Sequence, residues 1–109
     1  MDKKPLQPTT KAQQKLWVKY DSGPQGLPGY PFISFGNKVV MTGPLYSPQV
    51  LQGLTWSQIG SELKIPTSAV AINVLGAANY LTAAICKMTS NAPASVCSAT
   101  PISSIEAKL

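Results

Sequence analysis

One short ribbon limits what this chain can become. Residues 29–42, GYPFISFGNKVVMT, read as a loop end, a strand at Phe32–Phe35, a corner at Gly36-Asn37 and a second strand at Lys38–Thr42. Glycine accepts positive φ at the first corner position, and asparagine tolerates unusual geometry at the second. A two-stranded hairpin is marginal by itself and needs a third strand or a covering helix. The remaining sequence must therefore be asked what completes the sheet.

Before the hairpin, residues 1–8 hold two prolines and three charges and read as a loose tail. Thr9 or Thr10 can cap a helix running to about Tyr20, with Ala12, Leu16 and Lys19 on one face and Trp17 and Tyr20 beside it. Residues 21–31, DSGPQGLPGYP, form a loop that helix cannot cross. After the hairpin, Ser47-Pro48 reads as an N-cap followed by proline at the first helical position of a short helix. Thr55 and Gln58 form a T-x-x-Q capping box for a second helix, whose expected buried face is Trp56, Ile59 and Leu63. Thr67 or Ser68 caps the longest helix, to Met88, with Val70, Val74, Ala77, Leu81 and Ile85 near one stripe. Asn91-Ala92-Pro93 turns the chain, and a short helical turn holds Val96 and Cys97. From residue 99 the composition is tail-like, although Ile102, Ile105 and Leu109 offer weak packing. The expected organisation is a single domain over residues 9–98 between a tail at 1–8 and another at 99–109.

Charge is sparse and one-sided. Nine lysines, no arginine and four acids give a net charge of +5 over 109 residues. Lys11, Lys15 and Lys19 recur at helical spacing, which reads as a solvated stripe. Without arginine there is no bidentate fork for phosphate or guanine, so nucleic acid is not the expected partner. The sequence has no histidine, which removes Ser-His-Asp and Cys-His catalysis and any histidine-based metal site. No cofactor and no metal are expected. The polar N-terminus carries no apolar signal segment, so a cytoplasmic location is expected. Ala69–Cys86 runs for eighteen residues without a charge, the length of a minimal membrane span. Asn73, Asn79, Thr82 and many alanines argue instead for a helix buried in a soluble core.

Three constellations merit weighing. Tyr30-Pro31 at the loop-to-strand junction is a candidate cis peptide, against a trans proline that merely ends the loop. Cys86 and Cys97 are brought within reach by the turn at Pro93. A structural disulfide is the preferred reading, ahead of two inert thiols and a redox pair. Cys86 lies near a helix C-terminus, the wrong end for lowering a thiol pKa. Trp17, Tyr20, Tyr30, Tyr46, Trp56 and Tyr80 are more economically core residues than a base-stacking platform.

Two longer stretches, YPFISFGNKVVMTGPLYSPQVLQGLTWSQI and GAANYLTAAICKMTSNAPASVC, closely resemble the C-terminal part of an archaeal family, the domain of unknown function numbered 929. The resemblance covers about residues 15–98. It implies a thioredoxin-like fold in a heat-loving source, where an intracellular Cys86–Cys97 bridge is in keeping. It also implies that Tyr30-Pro31 is the proline loop preceding a core strand, a loop that offers backbone groups to an extended substrate. A C-x-x-C motif at a helix N-terminus belongs to the other half of such a fold, and these residues contain none.

The expected fold is therefore α+β: an incomplete thioredoxin-like half with one antiparallel hairpin and three to four helices, helix-rich overall. Phe32, Ile33, Ser34 and Phe35 would form a bare sheet edge. A homodimer is the expected way to cover it. The N-terminal helix folding over the gap, or an extended peptide or partner strand, are the alternatives. The expected function is a non-catalytic interaction or remnant protein. A redox accessory using Cys86 and Cys97, or a basic binder of nucleic acid or membrane surface, are the other readings.

Overall fold

A computed structural model describes residues 6–21 and 29–109. The architecture is α+β and rich in helix. Helix α1 (Lys11–Asp21) precedes strands β1 (Phe32–Phe35) and β2 (Val39–Thr42). A 3-10 turn (Pro48–Leu51) then leads to α2 (Trp56–Glu62), α3 (Ala69–Met88), α4 (Ala94–Cys97) and α5 (Ile102–Glu106). Among the described residues five α-helices stand where three to four were expected. The additional one is α5, in the stretch that composition marked as a tail.

The local signals explain most boundaries. Thr10 Oγ1 accepts from Gln13 N at 3.2 Å, and Gln13 Oε1 accepts from Thr10 N at 2.8 Å, a capping box that starts α1. Thr55 and Gln58 close the same box at α2. Ser68 Oγ caps α3 by accepting from Ala71 N at 3.0 Å and donates to Glu62 O at 2.8 Å, tying the end of α2 to the start of α3. Past α3, Ser90 and Asn91 take positive φ, and Asn91 N donates to Cys86 O at 2.8 Å, so the helix stops in a left-handed turn.

The strands pair antiparallel with Phe32 opposite Thr42 and Phe35 opposite Val39. Lys38 therefore belongs to the turn rather than to β2. Gly36 and Asn37 have φ of 55° and 60°, and Lys38 N donates to Phe35 O at 3.0 Å. Two central residues with positive φ suit the right-handed twist of a hairpin.

The core is thin. Its contiguous part is Ala83, Cys86, Cys97 and Ile102, with Ile105 packed against it. Phe35, Val70, Ala71 and Ala84 are the other buried apolar residues among those described. The Cα radius of gyration is 16.8 Å, against about 13 Å for a compact globule of this length. Two expectations of burial fail among the described residues. Trp56 is 90% exposed instead of facing the core. Helix α3, expected as a buried core helix, buries five of its twenty residues: Val70, Ala71, Ala83, Ala84 and Cys86. By length and composition alone α3 could cross a membrane. Its polar side chains bond within the helix, Asn73 Nδ2 to Ala69 O at 2.8 Å and Thr82 Oγ1 to Ala78 O at 2.9 Å.

Candidate functional site

Alternation along β1 sends Phe32 and Ser34 to one face and Ile33 and Phe35 to the other. Phe35 is buried, and with Val39 and Met41 it faces Leu81 and Ala84 of α3 across a small cavity of about 100 Å³. The opposite face is covered by α1 incompletely. Between them lies a cleft of about 480 Å³ whose walls include Gln13, Leu16 and Trp17 of α1 and Phe32 and Ser34 of β1. Leu16 is the most buried residue from Lys11 to Tyr20 and anchors α1 on the sheet, with Trp17 beside it 38% exposed.

Tyr30 stands at the mouth of the cleft, its ring edge-on to Trp17 with centroids 6.1 Å apart. The Tyr30-Pro31 peptide is cis, as are Ala92-Pro93 and Thr100-Pro101. Ser34 Oγ donates to Asn37 Oδ1 at 3.2 Å, which links the strand to its own turn. The turn is held from below: Lys38 Nζ donates to Lys87 O at 3.1 Å, placing a cation at the C-terminal end of α3. Gly36 comes so close to Met88 that a Cβ would lie 3.0 Å from its Cγ. The docking of the hairpin turn on the end of α3 was not anticipated from sequence, because Lys38 and Met88 are too far apart in the chain for any local pattern to connect them.

The backbone of β1 carries unpaired polar groups at this site. Gly43 N donates to Pro31 O at 2.9 Å, which makes 31/43 a hydrogen-bonded pair. Such pairs alternate in an antiparallel ladder, so 33/41 and 35/39 are bonded as well. The N–H and C=O groups of Phe32 and Ser34 consequently point away from β2. The sheet contains two strands, and among the described residues nothing pairs with this outer edge.

Of the residues singled out from sequence, Tyr30, Phe32 and Ser34 line the cleft, Pro31 precedes the strand, and Ile33 and Phe35 turn to the opposite face, Phe35 buried against α3. Cys86 and Cys97 do not line that cleft. They are bonded to each other, with Cα atoms 5.6 Å apart, and are 1% and 3% exposed inside the α3–α5 cluster. No group of three or more metal-ligating side chains occurs among the described residues. No family model matches the chain, and neither a curated protein nor a solved structure matches it.

Proposed function

We propose that this chain is a non-catalytic interaction protein that oligomerises through the outer edge of β1, built like the C-terminal half of a thioredoxin-like domain akin to family 929. The observation that carries this reading is the unpaired edge itself. Phe32 and Ser34 offer backbone donors and acceptors outward, beside an open cleft, in a sheet that has two strands among the described residues. A bare edge of this kind is a template for another strand. The thin core and the large radius of gyration support the same reading, since association would bury apolar surface that one copy leaves in water. The thioredoxin-like component is supported by the order of parts: a proline directly before β1, an antiparallel partner, then a long helix against the sheet.

Thiol–disulfide chemistry has less support. Both sulfurs are buried, and Cys86 sits in the last turns of α3, away from the helix N-terminus that would favour a thiolate. Multi-angle light scattering at micromolar concentrations tests the proposal. The expected mass is that of two chains, and a single-chain mass at every concentration would overturn the reading.

A further inference from the structure

We infer that the second copy docks on β1 in one register, with a two-fold axis passing through Ile33. This inference rests on the oligomeric reading above and specifies its geometry. An antiparallel two-fold pair is fixed by a constant sum of paired residue numbers. The outward groups belong to Phe32 and Ser34, so bonded pairs across the new edge must use these residues. A sum of 64 sets Phe32 against itself and sends Ser34 to Tyr30, outside the strand. A sum of 68 sets Ser34 against itself and sends Phe32 to Gly36, a turn residue with φ of 55°. Only a sum of 66 keeps both pairs inside β1: Phe32 with Ser34 of the other copy, and Ser34 with Phe32. About four main-chain hydrogen bonds result.

The side chains agree with this register. Ile33 then meets its own copy in a non-bonded pair, where Cα atoms approach to about 4.5 Å. It is 36% exposed in the single chain, an apolar residue with surface left to cover. Phe32 and Ser34 line the α1 cleft. Setting Phe32 beside Ser34 of the other copy joins the two clefts into one groove across the axis, so neither copy holds the whole groove alone. No charge within the strand opposes this register. Phe32–Phe35 carries no charged residue, and lysine is the usual guard against edge pairing. The hairpin's one lysine, Lys38, lies in the turn, level with position 36 in the register, which keeps the two copies' Lys38 at least about 20 Å apart.

Cross-linking tests the register. Cys86 and Cys97 are bonded to each other and no other cysteine is free, so an Ile33→Cys variant carries one thiol. Under oxidised glutathione it is expected to shift to a two-chain band on a non-reducing gel. Phe32→Cys and Ser34→Cys are expected to remain single chains, because each would have to bridge Cα atoms about 8 Å apart, beyond disulfide reach. In the unaltered chain, the Phe32 and Ser34 amides are expected to be protected from exchange in concentrated solution and to lose that protection on dilution. A two-chain particle that Ile33→Cys fails to link, or that Phe32→Cys links instead, overturns the register while the oligomeric reading stands. A single-chain mass throughout overturns both.

Discussion

At Gly36 a backbone requirement and a neighbour coincide. Its φ of +55° is one that side chains rarely adopt, and a Cβ there would crowd Met88 Cγ at 3.0 Å. Left-handed backbone costs a non-glycine residue about 1–2 kcal/mol, and Met88 is flexible enough to yield, so the backbone term dominates. Gly36→Ala is expected to lower stability by that amount in urea titrations. Two aromatic residues give a sharper contrast. Phe35 is buried against α3, and Phe35→Ala should cost about 3 kcal/mol. Trp56 is almost wholly in water, so Trp56→Ala should change stability by less than about 0.5 kcal/mol. Nothing in the sequence separates these two residues by composition. Phe35 was legible as part of a strand whose alternation and corner residues fix its place. Trp56 was not, because a helix of seven residues has too few turns for its apolar positions to say which face meets the core.

Among the elements, the caps were the most legible features. Thr55 with Gln58, and Ser68 before α3, act over three residues, so their chemistry is fully contained in the local sequence. Helix α5 is the opposite case. Five residues cannot display a helical period, and the burial of Ile102 is set by a contact from across the fold. That contact exists because the Cys86–Cys97 bridge, spanning a separation of 11 residues, returns the chain to the flank of α3. Closing so short a loop removes unfolded-state freedom worth about 3 kcal/mol. Replacing both cysteines by serine is therefore expected to lower stability by about that much. The amides of α4 and α5 should lose exchange protection more than those at the start of α3. If protection in α5 were unchanged, Ile102 would be held by packing alone and the bridge would not be its anchor.

For the whole molecule, the decisive property is sparse packing: among the described residues, a two-stranded sheet, a core of few residues and a long helix that buries five of its twenty residues. The hairpin and its open edge could be read from twelve or so residues, but the open cleft under α1 could not, since it depends on how far Leu16 and Trp17 draw that helix onto the sheet. Edge pairing can be separated from hairpin stability by where each N–H points. Ser34 directs its N–H away from β2, so Ser34→Pro removes a main-chain donor that the β1–β2 ladder does not use, together with the exposed Ser34 Oγ bond to Asn37. Ile33→Pro removes one that bonds to Met41. Ser34→Pro should therefore keep the far-ultraviolet circular dichroism of the unaltered chain while light scattering falls from two chains to one. Ile33→Pro should lose the hairpin itself. Each copy carries a net charge of +5, so like-charge repulsion opposes association and added salt screens it. The unaltered chain is accordingly expected to associate more tightly as salt is raised, and Ser34→Pro to stay single at every salt concentration. A dimer that persists in Ser34→Pro would place the contact on another surface, the exposed flank of α3 being the next to test.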